Sequence, residues 1–288
     1  MIQEIEPKVF HNEYKVLKPK HGDIVFAFSE RTVLCRIDGE DEQEGIKGQV
    51  SCPVVSERMS GKLMYLFRID EKSFFLWIGI NRLELPGYSY QNVTVFRRTD
   101  PQDLCYAGMT AFHLYVWHRD NHFCGRCGTE TVLYDRERAL CCPKCGNIIY
   151  PKICPAIIVG ITNGDKIIIT RYKGREYKGV ALVAGYCEIG ESAEATVKRE
   201  VMEEVGLEVE NIHYYKSQPW GFDGGILLGF FCSVVGNTTI TREEDELAIA
   251  EWVSRNELNI PAGNLSLTNN MICLFKDHPE TIEQLLSD

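Results

Sequence analysis

GYCEIGESAEATVKREVMEEVGL, residues 185–207, is the stretch on which the fold turns. From Glu191-Ser192 it runs without Pro or Gly as far as Gly206 and is rich in Ala, Glu, Lys, Met and Val. That composition predicts a helix of about four turns. Ser192 is placed to cap its start, and Ala195 three residues on means the cap has no reciprocal Glu or Gln. Gly206 suits the left-handed position that ends a helix. Glu200, Glu203 and Glu204 fall within an arc of roughly 100° on the helix surface, with Val197, Val201 and Val205 on the adjoining arc, where they can pack on a sheet. Three crowded carboxylates repel one another. A hard divalent cation relieves that repulsion and can then act as a Lewis acid on a phosphoryl oxygen. Arg199 can orient one of the carboxylates. Taken alone, Glu200 and Glu203 also read as a solvated helix face. The preceding Gly185 and Glu191, in register with Arg199, argue against that.

A second signal lies upstream. Cys124-Gly-Arg-Cys127-Gly and Cys142-Pro-Lys-Cys145-Gly are two matched knuckles with 14 residues between them. Four thiolates at this spacing close a tetrahedral structural zinc site. Cys141 breaks the spacing and reads as a bystander. His118 and His122, just before the first knuckle, read as surface or packing residues. Of 12 cysteines, the eight outside the knuckles are scattered singly, mostly in apolar runs, as small buried hydrophobes. Unpaired thiols, with no signal peptide and no long apolar segment, point to a reducing cytoplasmic setting and away from a membrane.

The chain has 288 residues, enough for two domains besides the knuckles. A formal net charge of −10 disfavours general nucleic-acid binding through the phosphate backbone. No repeat or low-complexity tract is present. Short apolar runs at Ile24-Phe28, Val33-Ile37, Leu63-Ile69 and Phe74-Ile80 predict strands, and the acidic stretch Asp38-Gly48 an exposed loop. Asp100-Pro101 predicts a helix start, with Asp as cap, running to about His118. Ala156-Ile161 and Lys166-Arg171 predict a hairpin turning at Asn163-Gly164. Further strands are expected near Ile212-Ser217, Ile226-Val235 and Ala248-Val253, then one final helix from about Leu267. Strands with helices on both sides make the fold class α/β, an α/β/α sandwich.

Residues 185–207 match the Nudix box, G-x5-E-x7-R-E-U-x-E-E-x-G-U with U a bulky aliphatic residue. Gly185, Glu191, Arg199, Glu200, Glu203, Glu204 and Gly206 fill all seven fixed positions, and Val201 and Leu207 the aliphatic ones. The resemblance implies metal-dependent hydrolysis of a diphosphate joined to another group. Over nearly its whole length the chain also resembles the NADH pyrophosphatase branch of the Nudix superfamily. Trp117-His118-Arg119 and Phe123-Cys124-Gly125 look like the approach to that family's zinc ribbon, and Tyr150-Pro151-Lys152 like its junction with the Nudix domain. Ser217-Gln-Pro-Trp-Gly-Phe-Asp-Gly-Gly225 stands in place of its motif S-Q-P-W-P-F-P-x-S, and Leu228-Gly229-Phe230 continues it. Glu246-Leu-Ala-Ile-Ala-Glu-Trp252 is similar to its E-I-x-x-A-x-W segment. The implied layout is an N-terminal β-rich α+β domain over 1–119, a zinc ribbon over 120–150 and a Nudix domain over 151–288.

Three positions depart from the motif. Gly221, Asp223 and Gly225 replace Pro, Pro and Ser, while Ser217, Gln218, Pro219, Trp220 and Phe222 remain. Losing two prolines loosens a loop whose φ would otherwise be fixed. Losing the serine removes a hydroxyl that could bond the ligand.

The resemblance implies these roles. Glu200, Glu203, Glu204 and Glu246 hold catalytic Mg²⁺ or Mn²⁺, with Glu203 and Glu246 the candidates for general base. Arg199 serves the same site, and Glu191 braces its loop. Cys124, Cys127, Cys142 and Cys145 hold structural Zn²⁺. Tyr186 stacks on the nicotinamide, and Tyr150 supplies a second aromatic from the other subunit of a homodimer. Gln218, Trp220 and Phe222 line the substrate loop. Arg171, Lys173, Arg175 and Lys178 form a basic stretch that either meets the diphosphate or is an exposed loop. The expected substrate is the dinucleotide NAD(H), cut to nicotinamide mononucleotide and AMP. The alternative is another nucleoside diphosphate such as ADP-ribose, or an NAD-type cap on RNA. A ligand-sensing protein without turnover is the reading from a different class, and the intact box speaks against it.

Overall fold

Cys154–Asn163 is buried almost without interruption, as a strand covered on both faces must be. Ile157, Val159 and Ile161 join one apolar cluster, while Ile158 joins another. The computed structural model describes residues 1–39, 47–59, 63–174, 179–259 and 265–287. Residues 40–46 of the expected acidic loop, and Arg175 and Lys178 of the basic stretch, lie outside them. The chain divides into two compact units. One is Cys154–Pro219 with Gly225–Asp288 and Met1, and the other is Ile2–Ile153 with Trp220–Gly224.

In the first unit, Cys154–Asn163 pairs in parallel with Gly225–Val235 on one side. On its other side it pairs antiparallel with Val183–Tyr186 along its first half and with Lys166–Tyr172 at its far end. Glu208–Trp220 and Leu247–Ser254 form the outer strands of the six-stranded sheet. The helix Ala193–Val205 covers one face through Val197, Val201 and Val205, all fully buried. Leu267, Met271, Ile272, Phe275 and Ile282 from two later helices cover the other. This is the expected α/β/α sandwich.

Two local expectations need correction. The hairpin turns at Gly164-Asp165, one residue later than expected, because Asn163 still pairs with Lys166. The final helix is two helices, Leu267–Asp277 and Pro279–Ser287. Pro279 drives His278 out of helical conformation, to φ −132° and ψ 64°.

Among the described residues, the second unit holds two small four-stranded sheets and a three-stranded one. Strands form at Ile24–Phe26, Thr32–Asp38, Leu63–Ile69 and Lys72–Trp77, close to expectation. The last stops short of Ile80, which is fully exposed. The helix Gln102–Asp120 buries Leu104, Phe112 and Trp117. Its cap is Pro101 and not Asp100. Asp100 is engaged elsewhere: its N–H donates to the Gly48 carbonyl, and its carbonyl accepts from Val50. Among the described residues, no helix is long and apolar enough to cross a membrane.

Candidate functional site

Ser192 caps the helix Ala193–Val205 by accepting from Ala195 N–H at 3.1 Å, and Gly206 ends it at φ 67°. Both are as the sequence predicts. The loop before the helix is held by Glu191. Its Oε2 accepts from the Glu188 N–H at 3.1 Å, from Thr196 Oγ1 at 2.9 Å and from Arg199 Nη2 at 2.9 Å, and its Oε1 accepts from Arg199 Nε at 2.7 Å. The guanidinium of Arg199 beside it pulls the Glu191 carboxyl down to about 2. Arg199 also donates through Nη1 to Glu200 at 2.7 Å and Glu203 at 2.9 Å, and through Nη2 to the Tyr186 carbonyl at 3.0 Å. One guanidinium thus ties three carboxylates to the strand that precedes the loop.

The carboxylates differ in setting. Glu203 stands out into solvent, its side chain 58% exposed. Glu204 is buried, and burial pushes its carboxyl up to about 8. Burial also raises Glu200, with Arg199 opposing. The charge of Glu246 acts on both Glu200 and Glu204 in the same upward direction. Glu246 is exposed, in the turn before Leu247–Ser254. Tyr172, which the sequence did not single out, donates its hydroxyl to Glu204 Oε1 at 3.1 Å and accepts from the Ala184 N–H at 3.1 Å. A Cβ at Gly185 would meet the Glu200 carboxylate, so a larger residue there would displace that carboxylate from its place. Acids whose charge is disfavoured by burial and by one another, open to solvent on the Glu203 side, suit a hard divalent cation. Their oxygens are not drawn together as tightly as the thiols described next.

The knuckles fold as a matched pair. Cys124 N–H donates to the Thr129 carbonyl and Gly128 N–H to the Cys124 carbonyl; likewise Cys142 N–H to Asn147 and Gly146 N–H to Cys142. Gly128 and Gly146 sit at φ 71° and 69°, which explains the glycine after each knuckle. The four sulfurs lie within 4.8 Å of one another. The side chain and backbone of Thr129 pull the Cys127 thiol down to about 6, toward the thiolate a metal needs. Cys141, His118 and His122 stand outside the cluster, as expected.

Residues 153–272 match the NUDIX domain family and residues 119–150 the NADH pyrophosphatase zinc ribbon domain. The NAD-capped RNA hydrolase NudC of Pseudomonas aeruginosa is 36% identical over 217 residues, 75% of this chain and 73% of the relative. The protein of the same name from Pseudomonas fluorescens is 35% identical over 231 residues, 80% of each. The chain belongs to the NADH pyrophosphatase family of Nudix hydrolases. A crystal structure of a NUDIX hydrolase from Nitrosomonas europaea is similar with a TM-score of 0.47 and 18% identity, covering 55% of this chain and 92% of that one.

As a Nudix hydrolase, the chain is a pyrophosphohydrolase dependent on Mg²⁺ or Mn²⁺, with structural zinc in its ribbon. The carboxylate array is the Nudix box, and the helix is its scaffold. Around it, Tyr186 ends the strand Val183–Tyr186 and is 54% exposed, so it is no core residue. Tyr150 is equally exposed and donates its hydroxyl to Glu137 at 2.8 Å. Gln218, expected to line the substrate loop, is held by the backbone of another segment. It is fully buried; its Nε2 donates to the Leu265 carbonyl at 2.8 Å and its Oε1 accepts from Leu267 N–H at 2.7 Å. It braces the start of the helix Leu267–Asp277.

Trp220 ends its strand and Phe222 lies in the turn after it, and both belong to the second unit. Their rings meet edge to face at 5.2 Å, Phe222 is buried, and Arg97 lies over Trp220 at 5.3 Å. The departures from the family motif have local causes here. A Cβ at Gly221 would strike the Met109 carbonyl, and one at Gly225 would stand 2.7 Å from the Cys154 carbonyl. Asp223 accepts from Trp220 Nε1 at 3.1 Å and faces Arg31 at 3.6 Å.

Proposed function

We propose that this Nudix hydrolase cuts the diphosphate of an NAD-type dinucleotide, releasing nicotinamide mononucleotide from the adenylate half. The observation that carries the reading is the pairing of an intact, Arg199-braced carboxylate array with an exposed aromatic, Tyr186, whose own carbonyl is tied to Arg199. A flat heteroaromatic ring can stack there while the diphosphate lies toward the carboxylates.

Glu200, Glu203, Glu204 and Glu246 would hold the divalent cations, which when bound would polarise the diphosphate and lower the pKa of water. Glu203 and Glu246, the exposed members, are the candidates to take the water proton. Glu204 and Glu200 are anchored by Tyr172 and Arg199 and keep their positions as charge develops. Tyr150 belongs to the same reading, as the aromatic that one chain of a homodimer lends to the site of the other. Twelve unpaired cysteines suit a reducing cytoplasm.

NAD-capped RNA is the second reading, supported by the names of the two Pseudomonas relatives. The chemistry at the diphosphate is the same. The net charge of −10 offers RNA no general docking surface, so any preference would rest on the cap itself.

Product analysis with Mg²⁺ against NADH, NAD, ADP-ribose and an NAD-capped oligoribonucleotide decides between them. NADH should give reduced mononucleotide and AMP with no free nicotinamide. A higher kcat/KM for ADP-ribose than for any NAD-containing substrate would sink the dinucleotide reading.

A further inference from the structure

A cavity in the N-terminal unit shares no residue with the carboxylate array. Its cavity volume is about 100 Å³, and it opens to solvent on one side. Its walls are apolar, with Leu63, Leu66, Leu114 and Leu133 among them. The extended segment around Lys15, Val16 and Leu17 passes its mouth, tied down by Tyr14, whose hydroxyl donates to the Tyr134 carbonyl at 2.7 Å.

The polar groups in this wall are unusual. Trp117 is 4% exposed and Tyr65 7%, yet Trp117 Nε1 and Tyr65 Oη find no hydrogen-bond partner among the described residues. A buried donor left unpaired costs about 1–3 kcal/mol, so native structures rarely carry two in one wall. Arg138 also lines the cavity. Its Nη2 donates to the carbonyls of Leu66 at 2.7 Å and Asn12 at 3.0 Å, and no carboxylate pairs with it among the described residues. Lys15 adds a second cation, and among the described residues no Asp or Glu lines the cavity.

An indole N–H can only donate, a guanidinium can only donate, and a phenol donates readily. The missing partner is therefore an acceptor, which reaches Trp117 Nε1 and Tyr65 Oη, each less than 1 Å² exposed, through small turns of the two side chains. The uncompensated charge of Arg138 asks for an anionic one, and the leucines ask for an apolar body. We propose that this cavity is a binding site for a small apolar carboxylate, its ring or chain among the leucines and its oxygens on Trp117, Tyr65 and Arg138.

The test uses the full-length, zinc-loaded protein labelled with ¹⁵N. The chain has four tryptophans, so four indole N–H signals report separately, and Trp117→Phe assigns the relevant one. Phenylacetate should shift the Trp117 signal saturably and leave the other three in place. Toluene should bind at least about tenfold more weakly, since it lacks the charged acceptor, and phenethylammonium should not bind. Tyr65→Phe should weaken phenylacetate roughly three- to tenfold and leave toluene unchanged. Leu133→Trp, at an exposed position, should fill the mouth and abolish both without altering dinucleotide turnover. If Tyr65→Phe does not fold, Leu133→Trp and the three-probe comparison still decide. The proposal is overturned if phenylacetate leaves the Trp117 signal unmoved at millimolar concentration, as it would if water alone satisfied these donors. Equal binding of the neutral or cationic probe, or unchanged binding in Leu133→Trp, would overturn it as well.

Discussion

Arg199 presents one edge of its guanidinium to both oxygens of Glu191, while Nη1 turns to Glu200 and Glu203. No ammonium can reproduce that fork. Arg199→Lys should lower kcat on the order of 10²-fold through misplaced carboxylates, with a smaller change in KM. Steady-state kinetics beside a thermal melt would check this, and an unchanged kcat would show the brace to be dispensable. Glu203→Gln and Glu204→Gln should each lower kcat by about 10²-fold or more in Mg²⁺. Near-normal rates in both variants would mean that the chemistry lies elsewhere. Residues such as Ser192, Arg199 and Gly206 were legible because their partners lie within a few turns of the same helix. Tyr172 was not, since its bond to Glu204 joins residues 32 apart. The bracing bonds of Gln218 were hidden for the same reason: its partners lie 47 and 49 residues on.

The elements behave as their local chemistry dictates where that chemistry is self-contained. Each knuckle closes on its own backbone and needs only its glycine to turn. Its spacing could therefore be read directly. Cys142→Ser should lose zinc, found by elemental analysis at about one per chain in the unaltered protein, and lower stability before it touches the chemistry. A folded, zinc-free variant of normal stability would contradict a structural role. The C-terminal helix is different. Its beginning near Leu267 was visible, but its break at His278 depends on one proline, and its start is braced by the distant Gln218. Gln218→Leu should leave the Leu265 carbonyl and Leu267 N–H unpaired and cost about 2 kcal/mol or more in urea unfolding. KM should stay near normal. A raised KM at unchanged stability would return Gln218 to the substrate.

At the scale of the molecule, substrate choice is what local patterns could not settle. The motif departures looked like a loosened loop in the sequence. In the structure each altered residue has a close neighbour: the Met109 carbonyl at Gly221, Arg31 and Trp220 at Asp223, and the Cys154 carbonyl at Gly225. None of these contacts is visible without the fold. Tyr186→Ala tests the nicotinamide side. It should raise KM for NAD(H) about three- to tenfold and leave ADP-ribose, which has no nicotinamide, nearly unaffected. Equal loss on both would mark Tyr186 as a support for the loop through its neighbour Arg199.

The order in which the sheet gains its two coverings has a consequence for synthesis. The Val197–Val205 face is supplied as soon as the central helix has been made, but the opposite face waits for Leu267, Met271, Phe275 and Ile282. At roughly 5–20 residues per second, a ribosome leaves Ile158, Ile167, Ile169 and Phe231 bare for seconds. A nascent chain stalled near residue 264 should therefore be held by chaperones and cut readily by protease. One released beyond residue 287 should resist both.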